Sequence, residues 1–318
     1  MSQPLLARYA ECIFWMGRYM ERAENLARLL EVNEVFARDR RGSHNWDAIL
    51  RLNADWDVFR KRYGEPTEER ITYFYMLDPQ HPGSIANAVK MARENARTLR
   101  PFISTEMWTH MNGVFNKVRS YERGPEQLPN VAEFCTLIKH GAQAHAGITE
   151  GTFYRDQGWS FYQLGKYLER ADQTTRLIDA KYHALLPSSE DVGSPLDESQ
   201  WNALLRSAAG YHAYRRVHPR ELTPAKVAGF MLLNAQFPRS VRYCVAEGSK
   251  HLATLIGAFQ LPRGIEVTEP LDALHQRLEE SEIESIITTG LHEYLDAVQL
   301  ELISVSEAMG RAYFGADG

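Results

Sequence analysis

Cysteine is scarce and scattered: Cys12, Cys135 and Cys244 are odd in number, far apart and free of any CxxC pair. That excludes a disulfide framework and a zinc cluster, and it points to a reducing compartment. Long apolar runs are missing too, since no stretch approaches the ~20 residues needed to span a bilayer. The N-terminus lacks a basic region followed by an apolar run and a small-residue cleavage site, so a cytoplasmic chain without a membrane segment is expected. There is no basic excess: Lys and Arg number 36 against 41 Asp and Glu, a net charge of -5, which leaves no electrostatic footprint for nucleic acid. Strand signals are almost absent. So are GxxxxGK[ST], GxGxxG, HExxH and GxSxG, the usual signatures of nucleotide hydrolysis, Rossmann cofactors, zincins and α/β-hydrolases. The Glu-x-x-His spacing of di-iron bundles is missing as well; Glu106 and His110 stand one turn apart without a counterpart elsewhere. His140 and His145 fall on different helix faces, one expected to be solvated and the other partly packed. Neither a metal nor a cofactor is expected.

What the chain does contain is a duplication. Gly17-Arg18-Tyr19-Met20-Glu21-Arg22-Ala23-Glu24-Asn25 returns as Gly165-Lys166-Tyr167-Leu168-Glu169-Arg170-Ala171-Asp172-Gln173, and the match runs on at constant offset through Arg28 and Arg176 to Glu31 and Asp179. Trp46-Asp47-Ala48-Ile49-Leu50-Arg51 reappears as Trp201-Asn202-Ala203-Leu204-Leu205-Arg206, after an insertion placed at Pro187 to Pro195 and read as a loop. Phe74 to Ile85 aligns with Phe230 to Val241. Order is preserved, so a unit of roughly 150 residues is repeated in tandem, a normal domain size. The expected organisation is residues 1–150 and 151–318, two halves of one compact unit.

Apolar residues at Ile13, Met16, Met20, Ala23, Ala27 and Leu30, and at Phe161, Leu164, Leu168, Ala171, Thr175 and Ile178, recur at helical spacing. Breakers at Gly64, Pro66, Pro79, Pro101, Gly124, Pro125, Pro187, Pro219, Pro262 and Pro270 cut the chain into segments of helix length. The class is all-α: two tandem helical-bundle repeats packed together along an apolar seam. Each half should open with a long helix, continue with one beginning at Trp46 or Trp201 and another capped by Ser84 or Ser240, and end with a long helix near Val131 to Thr149 or Ile286 to Tyr313.

Turning the repeated motif by the helical step gathers Arg18, Glu21, Glu24, Asn25 and Arg28 in one polar stripe, with Arg22 at its edge; Lys166, Glu169, Asp172, Gln173 and Arg176 build the second, edged by Arg170. As solvated acid-before-base pairs, Glu24 with Arg28 and Asp172 with Arg176 would be worth only about 0.2–0.5 kcal/mol each. Energies so small do not demand the same residue types at every stripe position, and a mid-helix glycine costs ~1 kcal/mol relative to alanine. Gly17 and Gly165 therefore point to close approach by a backbone or ligand, and the stripe to a buried or cleft-lining face. Arg22 and Arg170 suit either an anionic ligand or a buried ion pair between helices. Glu21 and Glu169, if they met across the seam, would suggest a metal or a shared proton. Arg97 sits in a basic cluster after Ser84. Arg239 and Arg242, beside a helix N-terminus where the dipole disfavours cations, hint at an anionic partner.

These residues carry a resemblance. Trp15 to Asn25, Leu164 to Asp172, Ala92-Arg93-Glu94-Asn95-Ala96-Arg97 with Glu106-Met107-Trp108, and Phe237-Pro238-Arg239-Ser240-Val241 resemble the alpha-E domain family of bacteria, over essentially the whole chain. The family takes its name from the repeated Glu-Arg motif, and its members resemble partners of circularly permuted ATP-grasp ligases and transglutaminase-like proteases. The resemblance implies a component of an ATP-dependent amide- or peptide-forming system, in stand-alone form, that binds the ligase or a peptide or anionic substrate through the duplicated stripes while the partner handles ATP. The competing reading is an enzyme in its own right, with Glu21 and Glu169 as acid/base or metal-binding carboxylates between the repeats. A purely structural helical interaction protein is the third.

Overall fold

The computed structural model describes residues 5–39, 46–122, 128–184, 195–262 and 264–315, and among them there are helices and no strand. In chain order the helices are α1 (Ala7–Asp39), α2 (Asp47–Leu52), α3 (Trp56–Tyr63), α4 (Glu68–Met76), α5 (Ile85–Thr98), α6 (Thr105–Arg119), α7 (Val131–Thr152), α8 (Gln157–Ala184), α9 (Pro195–Ser207), α10 (Tyr211–Val217), α11 (Pro224–Leu233), α12 (Val241–Gly257), α13 (Ile265–Glu280), α14 (Ile283–Thr289) and α15 (Leu291–Met309), closed by a π-helical turn over Gly310–Phe314. Local chemistry starts many of them. Thr67, Ser84, Ser104, Asn130, Thr223 and Ser240 each accept the amide three residues on, each satisfying one orphan donor of a helix N-terminus.

Three expected boundaries shift. Trp201 lies inside α9, which opens at Pro195, a residue suited to a first helical turn. Pro270 does not break α13: Val267, Leu271, Leu274 and Leu278 stay buried on both sides of it, so packing carries the helix past its missing donor. The last helix begins later than Ile286, because Gly290 at φ 129° separates α14 from α15. The insertion at Pro187 to Ser194 lies outside the described residues, as do Gly124 and Pro125.

Two long helices form the centre. Helix α1 packs along α8; α5 and α7 flank α1, while α12 and α15 flank α8. The contacts climb together: the Leu5 amide donates to Gln157, Gly17 abuts Tyr162 and Lys166, and Glu21 meets Arg170, so α1 and α8 run in the same direction. At the crossing, a Cβ on Gly17 would stand 2.6 Å from the Tyr162 carbonyl oxygen, and one on Gly165 would overlap that of Phe14. Both glycines serve backbone approach. Apolar surface closes above and below them, with Phe14, Met16, Phe161 and Leu164 fully buried.

Candidate functional site

The close crossing brings the two polar stripes against each other. Glu169, with 0 % exposure, accepts from Arg22 Nε at 2.6 Å and Nη2 at 3.0 Å and from Arg18 Nε at 2.8 Å. Glu21 accepts from Arg170 Nε and Nη2, both at 2.7 Å, and from Arg239 Nη1 at 3.2 Å. Each carboxylate thus faces arginines reaching from outside its own helix rather than the other carboxylate. Burial alone would raise both pKa values, but Arg22 and Arg18 hold Glu169 at about 2, and Arg170 and Arg239 hold Glu21 well below the usual range. The same pairing pushes the Arg22 and Arg170 guanidiniums up against the opposing cost of burial.

The outer turns of the stripes are spent similarly. Arg28 bonds Glu24 through Nε and Nη2 and reaches the Ser207 carbonyl with Nη1. Arg176 bonds Asp172 and reaches the Leu52 carbonyl at 3.1 Å. Asn25 donates to Glu21, and Gln173 to Glu169 and Asp172. Lys166 makes no ion pair among the described residues and lies over the Tyr167 ring; burial lowers its pKa to about 8. Of the outlying arginines, Arg239 bonds Glu24 and Asn25 besides Glu21, so the anion it faces at its helix N-terminus belongs to the chain itself. Arg242 pairs with Glu279 and Arg97 with Glu94, both near solvent.

This arrangement does not suit an acid/base or metal role for Glu21 and Glu169. Carboxyls ionised far below neutrality have no proton to give, and oxygens already held by two arginines and an amide are poor bases and poor ligands. Its first consequence is cohesion: two buried, reciprocally bonded charge clusters fix the register of α1 on α8.

A cleft of about 510 Å³ opens beside the Glu169 cluster. Arg18, Arg22, Asp172, Gln173 and Arg176 line it from α1 and α8, and Asp55, Tyr75, His81 and Gly83 from the segment between α2 and α5. Arg22 has 26 % of its side chain exposed, and its Nη1 makes no hydrogen bond among the described residues. Burial raises Asp55 to about 6 despite the Tyr75 hydroxyl bonded to it at 3.0 Å and the nearby Arg176. His81 is 5 % exposed and stacked on Phe74, and burial lowers it to about 4. Its Nε2 lies 3.6 Å from Asp55 Oδ2, beyond hydrogen-bond reach, and has no partner among the described residues.

Asp55, His81 and Gly83 lie outside the repeated Glu-Arg motif, and the one sequence signal was a mismatch between aligned segments: glycine at 83 against Arg239. Also unforeseen is the group Asp179, His292 and Asp296, whose ligand atoms lie within 4.8 Å of one another where α8 meets α15. His145, expected to be partly packed, is 1 % exposed near His110 and Tyr162, with burial lowering its pKa to about 3; His140 is exposed. No described helix is long and apolar enough to cross a membrane.

Comparison with known proteins adds to this geometry. Uncharacterised proteins of Mycobacterium bovis and of Mycobacterium tuberculosis strain H37Rv are each 25% identical to it over 324 aligned residues, covering 93% of this chain and 36% of their own length. The chain therefore spans about a third of the curated relatives it matches. No solved structure matches it. The family model named Alpha-E, described as a predicted alpha-helical domain with a conserved ER motif, matches residues 5–314. The Glu21-Arg22 and Glu169-Arg170 pairs that lock α1 to α8 are two such Glu-Arg steps, and the chain belongs to the Alpha-E family.

Proposed function

We propose that this chain is a ligand-binding component of an ATP-dependent amide- or peptide-forming system, built from two tandem halves, 1–150 and 151–318, and working beside a circularly permuted ATP-grasp partner. The family resemblance supplies the system. The cleft supplies the binding role, and it is the single observation that carries it: an open volume of about 510 Å³ beside Arg18, Arg22 and Arg176, with Asp55 and His81 facing them. On this reading the buried Glu-Arg pairs are the frame, and the cleft is where a peptide or other ligand bearing a carboxylate meets Arg22, whose Nη1, unbonded among the described residues, is suited to an anionic oxygen. ATP stays with the partner, in keeping with the missing phosphate-binding loops.

The test is co-expression with a circularly permuted ATP-grasp protein from the same organism. The two should co-purify, and the chain should raise ADP release by the ligase. Val58, 47 % exposed at the cleft mouth, can be enlarged without disturbing the core. Val58→Trp should abolish the stimulation and leave co-purification intact. A ligase that neither co-purifies nor responds would overturn the proposal.

A further inference from the structure

The two places where the aligned segments Pro82-Gly83-Ser84 and Pro238-Arg239-Ser240 meet the central helices differ in one decisive respect: the second carries an arginine and the first no side chain. Arg239 fills its side. Its Nη1 lies 3.2 Å from Glu21 and 3.1 Å from Asn25 Oδ1, and its Nη2 lies 2.5 Å from Glu24. The matching residues of α8 are Glu169, Gln173 and Asp172, and no side chain from the Pro82-Gly83 turn bonds them. Instead Gly83, Gln173 and Asp172 line the same cleft. Gln173 gives its amide nitrogen to Glu169 and Asp172, while its Oε1, the counterpart of the Asn25 oxygen that receives Arg239, accepts nothing among the described residues.

Local backbone supports the same correspondence. Ala54 and Ala209 share φ 56°, and the next amides, of Asp55 and Gly210, donate to the Leu50 and Leu205 carbonyls at 2.8 and 2.7 Å. Asp55 thus stands where the filled side has Gly210, and His81 where it has Phe237. The open side gains a carboxyl and a ring nitrogen without a partner; the filled side has neither. A buried polar atom left unbonded carries a desolvation penalty that a ligand donor would relieve.

The local charge balance admits a cationic occupant of this corner. The filled side gathers Glu21 and Glu24 with Arg28, Lys166, Arg170 and Arg239, two carboxylates against four cations. The open side gathers Asp55, Glu169 and Asp172 with Arg18, Arg22 and Arg176, three against three. One more cation leaves the open side less positive than the side the chain has already filled, so its three arginines do not forbid one.

We propose that the Gly83 corner of the cleft is a subsite for a guanidinium or primary ammonium group, the basic side chain of a peptide or amino-acid ligand, held where the Arg239 guanidinium sits in the other half. Gln173 Oε1, Asp172 and Asp55 accept its N–H groups, and neutral His81 offers Nε2. A planar guanidinium, with several donors in a fixed fork, reaches these separated acceptors better than an ammonium. The inference rests on reading the cleft as the ligand site, and with a carboxylate at Arg22 it makes the ligand class a basic amino acid or a peptide containing one.

Calorimetric titration with agmatine, which has a guanidinium and no carboxylate, tests the subsite without the ligase. Saturable binding is expected, with N-acetylglycine failing to compete for this corner. A Cβ on Gly83 would lie 2.8 Å from His81 Nε2, so the filling variant is the pair His81→Phe with Gly83→Arg, which transplants the Phe237 and Arg239 solution. It should keep the helical circular dichroism and weaken agmatine at least tenfold. Gln173→Leu, which leaves the turn untouched, should weaken it about fivefold and decides the matter if the double variant does not fold. Absence of saturable agmatine binding, or unchanged affinity in a folded variant, overturns the subsite. Co-purification of the ligase without agmatine binding removes the subsite alone, whereas agmatine binding without co-purification removes only the assignment to the ligase system.

Discussion

Replacing Glu169 by glutamine tests the seam most directly. Glu169 has no exposed surface and is the shared acceptor of Arg18 and Arg22, so the change keeps shape and leaves two guanidiniums buried against a neutral amide. Removing one partner of a buried ion pair costs about 3–5 kcal/mol. Linkage gives a similar figure: a carboxyl moved from 4.5 to about 2 on folding, at 1.36 kcal/mol per unit, contributes about 3 kcal/mol. Because the folded pKa is depressed, that contribution is complete above about pH 4.5 and lost as pH falls through about 2. With an unfolding entropy of about 2.1 cal/mol/K per residue over 318 residues, a loss of about 4 kcal/mol lowers Tm by roughly 6 °C. Thermal melts followed by circular dichroism at pH 7.5 should show that drop, and the gap between variant and wild type should narrow steadily below pH 4.5. Adding Arg22→Gln should cost less than the two single changes summed, since the pair shares one interaction. A Tm within 1 °C of wild type at pH 7.5, or a gap independent of pH, would refute the claim that these charges lock α1 to α8.

Gly17→Ala should lower stability by more than 2 kcal/mol in a denaturant titration, although alanine is the better helix former, because its Cβ meets backbone that cannot yield; Gly113→Ala, facing open space, should be neutral or gain up to about 1 kcal/mol. For Asp55, burial raises the folded pKa to about 6. Its favourable contribution is therefore present below about 3.8 and lost as pH rises through 6, so Asp55→Asn should stabilise at pH 7.5 by about 1 kcal/mol after solvent screening, and the gain should vanish near pH 4. His145, lowered by burial to about 3, resists protonation in the folded state while the unfolded chain takes a proton below about 6.5, so His145→Leu should flatten the loss of stability between pH 6.5 and 4. Titration of the chain alone with Mg-ATP should give no saturable heat, and micromolar binding would mean that nucleotide handling is wrongly assigned to the partner.

The all-helical class, the helix starts at Ser84, Ser240 and Val131 and the special character of Gly17, Gly165 and the polar stripes were legible in the sequence because they are local or periodic. Helical spacing fixes which side chains share a face, and serine, threonine or asparagine before a run marks its N-terminus. Pro270 misled because local propensity was outweighed by the buried leucines around it, a tertiary effect. The sequence alone determined that polar residues of fixed type recur beside a glycine on two long helices. Only the tertiary structure decided what they face. The parallel approach of α1 and α8 turns each stripe toward arginines outside its own helix, which makes the Glu-Arg motif an internal lock, because desolvated opposite charges at hydrogen-bond distance satisfy one another first. It also decided where the lock leaves space. The cleft at Gly83 depends on residues from α1, α8, α15 and the segment between α2 and α5 converging, and no spacing along the chain encodes a convergence made by packing.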